Sequence, residues 1–112
     1  MTDTLKVLGQ LDPSATTTTV LYTVPDLTQT TVSSIVATNR TGSAITFRLS
    51  VHVAGAGADD KQYLYYDKSV AATDSLTIVI GITLNQTDVV KVYTSGSNMS
   101  FNMFGCETKE ER

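Results

Sequence analysis

Ala44-Ile45-Thr46-Phe47-Arg48-Leu49-Ser50-Val51-His52-Val53 is the stretch that decides the fold of this chain. From Ile45 onward every odd position is large and apolar, and every even position is polar or charged. A strand turns successive side chains to opposite faces, so the pattern describes one dry face and one wet face. A helix would spread the same residues around its circumference. Burying five such side chains is worth about 8–15 kcal/mol on transfer values, an upper bound because unfolded chains are already partly compact. Ordering the backbone costs a comparable amount, so the dry face needs a second sheet over it. The stretch reads as the central strand of a β-sandwich.

On the N-terminal side, Asn39-Arg40-Thr41-Gly42-Ser43 supplies turn residues. Before them, Thr31–Asn39 reads as a strand with Ile35 and Ala37 on one face and Val32 and Val36 on the other. These two strands are expected to form an antiparallel hairpin with a loop of about five residues. Further back, Val20–Val24 is a short strand ended by Pro25-Asp26. Residues 1–19 stand apart as an extended N-terminal arm. Leu5, Val7, Leu8 and Leu11 are apolar there, Gly9, Asp12 and Pro13 interrupt them, and Thr16 to Thr19 follow. A frayed terminus is the bland reading. Four apolar side chains exceed what a solvated tail needs, so the sharper expectation is an arm lying on a neighbouring subunit, as an added strand or in a groove.

On the C-terminal side, Ala54–Asp60 is a loop of small residues, and Lys61–Val70 reads as a strand carrying Tyr63, Leu64, Tyr65 and Tyr66. With tyrosines on both faces, at least one ring meets water or another subunit. Tyrosine suits interfaces because it offers large area and a polar tip at low entropy cost. Tyr63, Tyr65 and Tyr66 therefore join Leu5, Val7, Leu8 and Leu11 as candidate interface residues. Ser75–Ile80 alternates with Leu76, Ile78 and Ile80 inward, and Gly81 marks a bulge or bend. Val89–Thr94 points Val90 and Val92 inward, and Met99, Phe101 and Met103 alternate along a last strand ending at Gly105. Residues 106–112 read as a mobile charged tail. The sum is an all-β fold: an antiparallel β-sandwich of jelly-roll or Greek-key type over residues 20–105, with the arm in front. Pattern leaves strand order open.

Composition narrows the function. A chain of 112 residues suits one core. At 41% hydrophobic and 17% charged it is too apolar for disorder, and the low charge suggests surface covered by a partner. A net charge of −3 without a basic stripe argues against nucleic acid as a partner. Cys106 is the sole cysteine, which excludes an intrachain disulfide. Met1-Thr2-Asp3-Thr4 lacks the basic start of a signal peptide and no apolar run reaches membrane-spanning length. The expectation is synthesis in a cytoplasm and no membrane partner.

Chemistry is sparse. His52 is the only histidine and shares the polar face of the central strand with Arg48 and Ser50. A base needs a positioned partner, so a lone histidine reads as a surface or interface side chain. One histidine and one cysteine make no zinc set. Asp59, Asp60, Asp67, Asp74 and Asp88 fall in turns or at strand ends without the spacing of a calcium loop. Asn39-Arg40-Thr41, Asn85-Gln86-Thr87 and Asn98-Met99-Ser100 match the glycosylation triplet, which a Thr- and Ser-rich chain produces by chance. No catalytic, cofactor-binding or metal residue is assigned.

Several phrases carry a resemblance: Leu8-Gly9-Gln10, Leu21-Tyr22-Thr23-Val24-Pro25, Thr38-Asn39-Arg40, Thr46-Phe47-Arg48 and Tyr66-Asp67, then Gly81-Ile82-Thr83-Leu84, Asp88-Val89-Val90-Lys91-Val92-Tyr93 and Ser100-Phe101-Asn102. In order and spacing they resemble small virion proteins of tailed bacteriophages, including phages of cyanobacteria, from Leu8 to Glu107. One departure is Ala37, where such proteins often carry cysteine. The resemblance implies a non-enzymatic β-sandwich that assembles with itself as a homotrimer and binds the phage major capsid protein. As a capsid decoration (cement) protein it would stand on the outer surface of the virion after synthesis in a bacterial cytoplasm. The alternative it implies is a tail, neck or fibre component or a host-surface glycan-binding module, with Tyr63, Tyr65 and Tyr66 near Asp59-Asp60 as the place to look.

Overall fold

The computed structural model describes residues 2–110. Nine strands follow in order: β1 (Thr2–Leu11), β2 (Thr19–Thr23), β3 (Thr28–Asn39), β4 (Ile45–His52), β5 (Tyr63–Val70), β6 (Ser75–Ile78), β7 (Ile82–Leu84), β8 (Val89–Thr94) and β9 (Met99–Lys109). The first sheet has the order β1-β9-β3-β6, with β7 also paired to β3, and the second has the order β2-β8-β4-β5. Every pairing is antiparallel.

The order follows from nested pairs. β4 meets β5, β3 meets β6 and β7, β2 meets β8, and β1 meets β9. A ribbon paired in this way and rolled on itself adds the β9–β3 and β8–β4 contacts and gives two facing sheets. That is a jelly roll, an arrangement that buries both inner faces of a long ribbon. The core is Phe47, Leu49, Val90 and Val92 from the second sheet against Ile35, Ala37, Met99, Phe101 and Met103 from the first, none more than 1% exposed. Phe47 meets Phe101 edge-on with ring centroids 5.8 Å apart.

The decisive stretch behaves largely as its pattern predicts. β4 lies between β8 and β5, with Ile45, Phe47 and Leu49 buried. Its polar face is not uniformly wet, however: Ser50 and His52 are buried too. The chain after β4 folds back over them through two short 3-10 turns, Val53–Gly55 and Asp60–Gln62, and Val53 is exposed outside the strand.

Three further expectations are corrected. β3 and β4 form no hairpin, because they belong to opposite sheets and both turn apolar faces to the same core. The connection between them crosses from sheet to sheet, tied by the buried Asn39, whose amide donates to the carbonyls of Ser43 (2.8 Å) and Val70 (3.0 Å). This also removes Asn39 as a glycan acceptor. Val32 faces inward with Ile35 and Ala37, since a bulge between Val32 and Ser34 resets the alternation. Ile80 lies beyond β6 and is 48% exposed, because the chain leaves β3 there and bends at Gly81, φ +59°.

The termini are the largest difference. Of the arm, Thr2–Leu11 is β1, paired in the same chain with β9 from Thr2 opposite Lys109 to Leu11 opposite Phe101. It lies on its own domain because the roll supplies β9 as a partner. Likewise Cys106–Lys109 continues β9 between β1 and β3 and is not a loose tail. Met1, Glu111 and Arg112 lie outside the described residues. Gly9 and Gly105 permit the close packing: a Cβ on Gly105 would lie 2.3 Å from the Thr31 carbonyl oxygen, and one on Gly9 2.5 Å from that of Leu21. Tyr22 on β2 then clamps the sheets. Its hydroxyl bonds Thr30 (2.8 Å) and donates to Glu107, which also accepts from Lys6 on β1 (3.3 Å). Burial, reinforced by the bond to Glu107, raises the Tyr22 pKa well above its ordinary value.

Candidate functional site

On the outer face of the second sheet, strand register gathers a stack that no single segment shows. Arg48 on β4 lies opposite Tyr93 on β8. On its other side, a register shift in the β4–β5 pairing and a positive φ of 51° at Asp67 bring Tyr66 and Asp67 alongside. The guanidinium carbon lies 4.3 Å from the Tyr66 ring centroid and 4.5 Å from that of Tyr93. Arg48 Nε donates to Asp67 Oδ1 at 2.7 Å and Nη2 to Oδ2 at 3.4 Å, a contact that raises the guanidinium pKa. Tyr63 closes the row, its ring meeting Tyr66 edge-on at 4.9 Å. Three rings, a planar cation and a carboxylate thus pack against one another. Tyr66 remains 59% exposed. A rigid, exposed Tyr–Arg cluster has the composition of an interaction hot spot, since little side-chain entropy is left to lose on docking.

The predicted tyrosines therefore divide. Tyr63 and Tyr66 stand in the stack, whereas Tyr65 turns inward and packs against Phe47 with ring centroids 5.7 Å apart. Asp59 caps the turn after the loop, accepting from the Lys61 amide at 3.2 Å. The arm residues divide as well. A register shift between Val7 and Gly9 places Leu8 and Leu11 against the core. Leu5 and Val7 point outward, 85% and 46% exposed, opposite Cys106 and Phe104. Arg48, Asp67 and Tyr93 were legible only as a polar-face residue, a turn residue and a strand end. Their conjunction depends on register.

Beside the stack a cavity of about 30 Å³ is lined by Thr18, Ser50, His52 and Ala58 together with stack residues. Sites for small molecules commonly hold about 300 Å³ or more. His52 Nδ1 donates to the Ala56 carbonyl and Nε2 accepts from the Ser50 hydroxyl, both at 2.9 Å. The buried pair has no carboxylate behind the imidazole, and it ties the loop over β4. Among the described residues no His, Cys, Asp and Glu cluster fits a metal, and no helix is long and apolar enough to cross a membrane.

No protein-family model and no curated protein sequence matches this chain. Five chains of solved structures do. One belongs to the structure of infectious bursal disease virus, Gx strain. It matches with a TM-score of 0.55 and 10% identity over 95% of this chain and 32% of that one. This chain spans about a third of that longer chain, and at such identity the likeness is one of fold.

Proposed function

We propose that this chain is a non-enzymatic structural protein of a virion. Within that role we propose a homotrimeric capsid decoration (cement) protein of a tailed bacteriophage, bound to major capsid protein subunits on the outer surface. The observation that carries the reading is that 95% of the chain takes a fold shared with part of a chain in a virus structure. The exposed features agree in kind: a preorganised Tyr–Arg stack and apolar sheet edges suit protein contacts. A protein that binds only the assembled shell stabilises it by mass action. The glycan-binding alternative is less well served, because the Tyr66 ring is already engaged by Arg48 and Tyr63.

The test is to add purified protein to shells that lack it and count bound copies. Saturable binding at hundreds of copies, with a higher temperature of shell disruption, is expected. A handful of copies confined to one vertex or to the tail overturns capsid decoration in favour of a tail, neck or fibre part.

A further inference from the structure

The first sheet ends in two edges, and both expose apolar side chains, one along a ten-residue strand and the other at the bend between two short strands. At one edge, no strand pairs with the outer side of β1 among the described residues, and Leu5 and Val7 project there. Its charges do not guard it. Lys6 is drawn onto Glu107 at 3.3 Å, and Asp3 accepts from the Thr108 hydroxyl at 2.9 Å. At the other edge, β6 and β7 carry between them Val79 and Ile80, 69% and 48% exposed. From Ser75 to Thr87 there is neither a charged residue nor a proline. Soluble proteins protect edge strands with charge, proline, shortness, bulges or cover, and an edge that lacks charge and proline is open to pairing with another chain.

We propose that the two edges are the two halves of one interface: β1 of one copy docks on the β6–β7 edge of the next, head to tail, closing a ring. Three features select a second copy as the occupant. The first is level. Val7 lies opposite Phe104, and Phe104 opposite Ser34. Ser34 falls between Ile35, which pairs with Ile78, and Val32, which pairs with Ile82. Val79 and Ile80 are therefore at the height of Val7 on the far side of the sheet. The second is direction. β1 runs parallel to β3 and opposite to β6 and β7. Rotation about an axis along the strands preserves direction, so the edges meet antiparallel, the pairing used throughout this chain. The third is closure. A two-fold contact of β1 with another β1 leaves the β6–β7 edge bare, whereas a rotary contact consumes both edges in every copy. Val7 and Val79 then form a cross-strand apolar pair on the outer face of a continued sheet. This assignment deepens the trimer reading above and rests on it for the number of copies.

The experiment uses the full chain with Cys106→Ser, so that each new thiol is the only one. Val7→Cys and Val79→Cys chains, expressed together and oxidised, are expected to give a disulfide-linked pair on a non-reducing gel, and each alone none. In sedimentation, the wild type runs as a trimer, and Ile80→Asp runs as a monomer with unchanged circular dichroism. Self-linking of Val7→Cys alone, or a trimer with no mixed disulfide, overturns the edge assignment. A wild type that is monomeric at high concentration also overturns it, and shell binding by that monomer would leave decoration standing. A ring that forms but leaves shells bare confirms the edges and removes the decoration reading.

Discussion

Replacing Gly105 by alanine tests whether the termini are part of the roll. Gly105 on β9 lies between Lys6 of β1 and Val32 of β3. An added Cβ would lie 2.3 Å from the Thr31 carbonyl oxygen, 2.9 Å from Leu8 Cδ1 and 3.1 Å from Val32 Cα. The leucine terminus can swing away, but the backbone oxygen belongs to the β3–β9 ladder and cannot move alone. Overpacking costs about 1–3 kcal/mol, and a weakened ladder hydrogen bond adds about 1 kcal/mol. The expected loss is about 2–4 kcal/mol, which for a domain near this size lowers the melting temperature by about 10–25 °C. The assay is a thermal melt followed by circular dichroism, with Gly57→Ala as the control, because no atom lies within 4 Å of its added Cβ. Adding Leu8→Ala to the Gly105→Ala chain removes the side-chain clash and leaves the Thr31 clash, so most of the deficit persists. Equal melting temperatures for Gly105→Ala and Gly57→Ala would refute the packing of β1, β9 and β3 described here.

Three other outcomes follow from the side chains. Arg48→Ala should weaken shell binding by about 30-fold or more, as loss of a hot-spot side chain does, while the fold should be little affected because the ion pair is exposed and screened by solvent; Arg48→Lys should rescue little, since it lacks the planar fork, and titration of labelled protein onto shells measures both. His52→Ala removes a buried ring and its bonds to Ser50 and Ala56, so stability falls by about 2–4 kcal/mol and limited proteolysis cuts first within residues 53–62. For Tyr22, the folded pKa is raised above the unfolded value, so the neutral hydroxyl's contribution is complete below about pH 10 and is lost as pH climbs through the folded value. Tyr22→Phe should be less stable at neutral pH, and urea melts should show the gap between the two proteins closing above about pH 10.

Much of the fold was legible because alternation is a local property. Phe47, Leu49, Val90, Val92, Phe101 and Met103 announce their burial by position alone, and the structure buries all of them. The failures share a cause. Val32 and Leu8 change face at bulges, which insert one residue without changing composition. His52 and Ser50 look wet on their strand and are buried by a loop that arrives afterwards. Arg48, Tyr66 and Tyr93 come from three strands, and what joins them is register, which period-two patterning does not encode.

By itself the sequence determined the central strands, most of their dry faces, and the absence of an intrachain disulfide, because each depends on residue type and spacing along one segment. Tertiary structure alone decided that the first and last strands pair, since that choice is made by nesting over a hundred residues of chain. It also decided which polar residues are buried and which sheet edges stay open. An edge is defined by the neighbour it lacks, and neighbours exist only once the ribbon has rolled.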